Sequence, residues 1–175
     1  MTVLHILSGG AAEGLVGQMT RAFEAQTGLT VSGTFGAVGL MKSRLLDNAS
    51  CDVAILTAAL IQELAAGGDV IADSATALGS VSTGIAVKTG EAMPPVATAD
   101  DLRAAFRAAR GIYHPDPVKA TAGIHFMKVL TELGLADELS PRLRPFPNGN
   151  IAMTEMARAN EGGLIGCTQI TEIVF

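Results

Sequence analysis

The stretch Leu4-His5-Ile6-Leu7-Ser8-Gly9-Gly10-Ala11-Ala12-Glu13-Gly14-Leu15 decides the fold. A short apolar run breaks into glycine and then into an amphipathic pattern, which reads as a strand, a glycine turn and a helix start. The first N–H groups of such a helix have no partner within it and converge on one spot, an arrangement that suits an anion. Leu15, Met19, Ala22 and Phe23 stand at helical spacing and carry the predicted helix to about Thr27, with Gly28 as its stop. Glycines after a strand serve tight turns and close helix packing equally well, so the turn by itself leaves both readings open.

The same alternation repeats outward. Leu29, Val31, Gly33 and Phe35 predict a second strand, which ends in Phe35-Gly36-Ala37-Val38-Gly39. Val38, Met41 and Leu45 mark a short helix stopping near Asn48, Asp52 to Leu56 a third strand, and Leu60, Ile61 and Leu64 a third helix before Gly67-Gly68. Strands alternating with helices imply parallel pairing, so the turns at Ser8 to Gly10, Gly36 to Gly39 and Thr57 share the carboxyl edge of one sheet. Leu78 to Val87 is β-prone yet studded with Gly and Ser, and it reads as a strand crossing between lobes, after which the pattern restarts. The expected division is residues 1–80 in lobe one and 81–175 in lobe two, with a hinge near 78–88.

In the second half, Thr98 with Asp101 three residues on predicts a helix start, and Leu102, Ala105, Phe106 and Ala109 line its face. Ile112-Tyr113-His114 is a brief strand. A proline-stiffened loop from Pro115 follows, ending at Ala122-Gly123 in a helix with Phe126, Leu130 and Leu133 on one side and Gly134 at its stop. Asn148-Gly149-Asn150 precedes a helix through Met153, Met156 and Ala157. Leu164 to Cys167 is a last strand, with Thr168-Gln169-Ile170-Thr171-Glu172 at its end.

Composition narrows the chemistry. Among 175 residues, 49% are apolar and 17% charged, which fits a well-covered α/β interior. The net charge of −5, with Lys and Arg scattered, excludes a phosphate-tracking nucleic-acid surface. Cys51 and Cys167 lie far apart without C-x-x-C spacing and read as small hydrophobes, so neither a bridge nor a metal site is expected. No apolar run reaches transmembrane length, and the N-terminus lacks a basic region followed by an apolar one and a cleavage site. The chain as given therefore reads as cytoplasmic, or else as the mature form of an exported protein.

Dinucleotide and nucleoside triphosphate fingerprints are absent, as are G-x-S-x-G and H-E-x-x-H, and no cofactor is expected. His5 falls within the first strand and reads as structural, and His125 reads as an exposed helix residue. His114 ends a strand beside Pro115 and Asp116, where it is either held by Asp116 or free to bond a ligand or move a proton.

The order of these motifs resembles the two-lobed periplasmic solute-binding proteins of ABC transporters, type 2, closest to the molybdate-binding branch. The resemblance is carried by Ser8 to Leu15, Ala22 to Gly28, Thr34 to Gly39, Cys51 to Ile55, Pro115-Asp116-Pro117 with Ala122-Gly123, and Gly166 to Glu172, and it covers nearly the whole chain. It implies two lobes, each a mainly parallel sheet flanked by helices, that close over a small anion, with an ABC transporter permease as partner. Family members carry chain beyond the last strand that returns to the first lobe, whereas this sequence stops at Phe175. The first lobe is then expected to keep an uncovered apolar edge or helix face and to self-associate.

Molybdate binders resembling this chain place serine where Gly10, Ala37 and Val38 stand, and tyrosine near Gln169. With these donors replaced, the inventory suits an organic carboxylate or another anion rather than molybdate. The expected ligand groups are Ser8, Gly9, Gly10, Gly36, Ala37, Val38 and Thr57 from lobe one, and Thr121, Ala122, Gly123, Asn150 and Gln169 from lobe two. An enzyme on the same scaffold is the rival class, an isomerase or lyase of a small unsaturated carboxylic acid. Its candidate bases are His114, Glu13 and Glu172.

Overall fold

In the computed structural model, which describes residues 2–173, the opening apolar run is strand β1 (Val3–Gly9). Ile6 to Gly9 are buried without alternation, as a strand flanked on both sides requires. A 3-10 turn at Gly10–Ala12 leads into α1 (Glu13–Thr27), which Gly28 closes at φ 71°. β2 (Thr30–Gly36), α2 (Val38–Leu46), β3 (Val53–Ile55) and α3 (Ala58–Gly67) complete the first of two compact units, Met1–Val81. Its sheet has the order β2-β1-β3 and is parallel throughout. The register sets Gly9 beside Gly36 and Ser8 beside Ile55, so the three strands end level.

The stripe that marks α1 in the sequence faces outward. Leu15 and Met19 are 46% and 60% exposed and Ala22 is exposed, while Val16, Thr20 and Phe23 are half-buried. Helical spacing thus identifies the element correctly without telling which of its faces the sheet takes.

The second unit, Ser82–Phe175, holds β4 (Thr83–Ala86), α4 (Ala99–Ala108), β5 (Gly111–Pro115), α5 (Thr121–Glu132), α6 (Ala136–Leu139), β6 (Leu143–Phe146), α7 (Gly149–Arg158), β7 (Leu164–Gln169) and α8 (Ile170–Ile173). Its sheet has the order β4-β7-β5-β6, parallel except that β4 runs antiparallel to β7. Of the stretch Leu78 to Val87, only Thr83–Ala86 is strand, and it pairs along β7 within this sheet. β6 escapes the apolar pattern because Pro145 and Arg144 interrupt it; its place comes from pairing with β5 alone.

Two apolar layers cover this sheet. On one face lie Phe106, Ile112, Phe126, Leu130, Leu135 and Leu139, with the Phe106 and Phe126 rings edge to face at 5.7 Å. On the other lie Tyr113, Ala152, Met156 and Leu164, with Tyr113 stacked on Phe146 at 5.4 Å. Arg144 ties β6 to β5: its guanidinium lies over the Tyr113 ring, donates to the phenol oxygen at 2.8 Å and pairs with Glu161. At α4 the capping box forms in full, Asp101 N–H to Thr98 Oγ1 at 3.1 Å and Thr98 N–H to Asp101 Oδ2 at 3.0 Å.

Both cysteines are free thiols. Cys167 is buried, whereas Cys51 is only partly so. Among the described residues no helix is long and apolar enough to cross a membrane.

Leu130 is fully buried against the α4 and β5 side of this core. Truncation in Leu130→Ala is expected to destabilise the second unit by about 2–5 kcal/mol, read as a lowered urea midpoint for that unit's transition. A midpoint unchanged within error counts against this packing.

Candidate functional site

Each sheet gathers its polar residues at the carboxyl ends of its parallel strands. In the first unit, β1 ends at Gly9 and β2 at Gly36, and β3 runs through Leu56 to Thr57, the N-cap of α3. Ser8, Gly9, Gly10, Gly36, Ala37, Val38 and Thr57 therefore share one edge. Ser8 is fully buried and its hydroxyl donates to the Gly9 carbonyl at 2.9 Å. Thr57 Oγ1 accepts from Leu60 N–H at 3.4 Å, which leaves its own proton to donate elsewhere.

In the second unit β5, β6 and β7 end at Pro115, Phe146 and Gln169, with Pro115 level with Phe146. Thr121, Ala122 and Gly123 form the first turn of α5, Asn150 stands second in α7, and Gln169 closes β7. Asp116 accepts from Val118 and Lys119 N–H at 2.7 and 2.9 Å, which turns the chain sharply after β5, and these bonds hold its carboxyl below the usual range. The turn brings Gly123 so close to the carbonyls of Pro115 and Asp116 that a Cβ there would collide with backbone.

The helices at these edges differ in their caps. α3, α4 and α7 begin under Thr57, Thr98 and Asn148, each accepting a backbone N–H. α1 also follows an alanine, Ala12, but it continues a 3-10 turn in which the Gly10 carbonyl accepts the Glu13 N–H; α2 and α5 begin directly under Ala37 and Ala120, whose methyl groups cannot accept. The leading N–H groups of these two helices, of nine and twelve residues, thus lack both an intrahelical and a side-chain partner of the capping kind.

The three candidate bases occupy different surroundings. Glu13 opens α1 and is half-buried. Glu172 is 6% exposed; Thr168, itself 1% exposed, donates to its Oε2 at 2.5 Å. Gly149 leaves the room for this pair, since a Cβ there would run into both the Thr168 hydroxyl and the Glu172 carboxylate. A buried carboxylate therefore lies against the start of α7, where the helix dipole favours it. The sequence places Thr168 and Gly149 in the edge stretches without assigning either a role; the available signals are the i,i+4 spacing of Thr168 and Glu172 and the Asn-Gly pair at the α7 start.

His114 is 1% exposed and packs at 5.0 Å from the Phe126 ring. Its Nδ1 lies 2.8 Å from the Pro115 carbonyl, an acceptor, so Nδ1 carries the proton and Nε2 is left a buried acceptor without a partner. Asp116 spends its carboxylate on backbone and forms no bond to the ring. Burial lowers the His114 pKa from 6.5, partly offset by the Pro115 carbonyl and by Asp116. Among the described residues no group of three or more His, Cys, Asp or Glu is placed to hold a metal ion.

Each of the two α/β units thus sets helix N-termini at the carboxyl edge of its parallel strands. The profile of the family described as bacterial extracellular solute-binding protein matches residues 4–173, and the chain belongs to that family. Its fold is the type 2 periplasmic-binding-protein fold. The periplasmic molybdate-binding protein of Azotobacter vinelandii superposes with a TM-score of 0.74 at 20% identity, over 98% of this chain and 73% of its own. The sulfate-binding protein of Mycobacterium tuberculosis gives 0.71 at 16% identity, over 97% and 65%. An aconitate isomerase from a Pseudomonas species is 24% identical over 135 residues, 74% of this chain. The chain spans about half the length of that curated relative.

A His held neutral in the fold leaves the unfolded chain to bind the proton first. Stability should therefore rise with pH from the depressed folded pKa up to about 6.5 and level off above it. His114→Phe should flatten that limb; a urea midpoint with the same slope between pH 5 and 7 in both proteins would show that another group is responsible.

Proposed function

We propose that the chain binds a small anion, an organic carboxylate or an oxyanion, and that its two units close on that ligand. The observation that carries this reading is the pair of alanine-started helices, α2 and α5, each at the carboxyl edge of its own sheet. Their leading N–H groups and dipoles supply donors and positive potential with no lysine needed, consistent with a chain of net charge −5. Ser8, Gly9, Gly10, Gly36, Ala37, Val38 and Thr57 would contribute from one unit, and Thr121, Ala122, Gly123, Asn150 and Gln169 from the other. Relatives named for molybdate and sulfate support the anion, and the family's extracellular description supports an exported mature form in preference to a cytoplasmic protein; an ABC transporter permease is the proposed partner, a reading favoured by the likeness to the substrate-binding domain of a molybdenum ABC transporter.

Gly10→Asp places a fixed carboxylate at the start of the first helical turn. Calorimetry with sulfate, molybdate, acetate and citrate on the parent, then on the folded variant, is expected to show at least a tenfold loss for whichever anion binds, about 1.4 kcal/mol. Undiminished affinity in a folded Gly10→Asp protein removes this turn from the site.

A second reading is favoured by the likeness to aconitate isomerase: the same edges hold an unsaturated carboxylic acid while a base such as Glu13 or Glu172 moves its proton. Incubating the protein with aconitate in deuterated water separates the two readings. Enzyme-dependent uptake of deuterium at carbon is expected of the isomerase and not of a passive binder, and its absence rejects this second reading.

A further inference from the structure

We infer that the anion is organic and that its hydrocarbon body enters a cavity inside the second unit; this rests on the anion-binding reading above and deepens it. The cavity measures about 320 Å³, at the lower end of the range in which proteins hold small molecules. It lies between α4 and α5 over β4 and β7, and its position along these elements is what connects it to the ligand. Ala122, second in α5, and Thr168, next to the last residue of β7, both line it. Thr83 lines it too, and that residue begins β4 opposite Gln169. The cavity therefore starts at the carboxyl edge, beside the uncapped first turn of α5, and extends down the helix to Val129.

Its walls suit hydrocarbon. Phe106, Phe126 and Cys167 are 1%, 5% and 5% exposed, and Leu102 and Ile85 stand with them. Burial pushes the Cys167 thiol up, so this wall carries no thiolate. Of the polar lining groups, Thr83 and His125 are exposed, and Thr168 is buried with its hydroxyl donated to Glu172. A molybdate or sulfate ion at the α5 start would leave this apolar volume unfilled. A carboxylate on a short alkyl chain uses both features, the head on the N–H groups of Thr121 to Gly123 and the chain along the wall that Leu102, Phe106 and Phe126 form.

Titration calorimetry of the whole chain with sulfate, acetate, butanoate and hexanoate tests this. Affinity is expected to rise about fourfold for each methylene from acetate to butanoate, the equivalent of about 0.8 kcal/mol, with sulfate no tighter than acetate. Val129→Phe, which fills the cavity away from the anion groups, should abolish the chain-length gain and keep acetate affinity. If Val129→Phe does not fold, Leu102→Ala enlarges the same cavity and should extend the gain to hexanoate. Equal affinity for the three carboxylates, or a gain unchanged in the folded variant, overturns the inference while leaving anion binding in place. Failure of all four anions, and of the molybdate and citrate tested above, to bind rejects the anion-binding reading itself.

Discussion

Parallel pairing of the central strand in each unit is the constraint on which the polar edges depend. With Gly9 held beside Gly36 and Ser8 beside Ile55, three chain reversals follow at one level. Strands about 4.8 Å apart then crowd three turns into a strip about 10 Å across. In the second unit β5 does the same work between β6 and β7. A slip of one residue would exchange the two covered faces, moving Ile6 and Ser8 into the layer shaped for Leu7 and the reverse, so the packing on both sides of the strand protects the alignment of its polar end.

The two units pay for that alignment unequally. The second unit wraps its sheet in two apolar layers, with Ile112, Leu130, Leu135, Leu139, Ala152 and Leu164 fully buried. In the first unit α1 has no buried residue; Met41 and Leu64 are fully buried, while Ile6 and Leu7 keep a few per cent of exposure. Leu15 and Met19 lie on its surface as neighbours one turn apart. Most of the packing energy therefore resides in the second unit, and the first holds its sheet chiefly by backbone pairing and a small core.

Local signals made much of the fold legible. Gly28 and Gly134 stop their helices with positive φ, the Thr98–Asp101 box opens α4, and the parallel order follows from the strand and helix alternation. What stayed hidden was settled by partners distant in the chain. β6 is a strand because β5 lies beside it, and β4 joins the second sheet because β7 accepts it antiparallel. At the candidate site, the residue types at the strand ends were legible, whereas their environments were not. His114 looked like an edge residue, yet the packing of α5 sets Phe126 against its ring and closes it off. Glu172 could be named as a carboxylate near the edge; that it presses on Gly149 under a bond from Thr168 depends on how α7 and α8 meet.

The alanines that start α2 and α5 have a consequence for folding as well as for recognition. A helix that begins under alanine instead of serine, threonine, asparagine or aspartate forgoes about 0.5–2 kcal/mol. An anion seated on those N–H groups would restore what the sequence omits, acting as cargo and as helix cap at once. On the proposed anion-binding reading, ligand binding and the ordering of a first turn would be one thermodynamic event in whichever unit holds the anion, and the exchange of amide hydrogens at Val38 to Leu40 or at Thr121 to Gly123 would gauge occupancy directly.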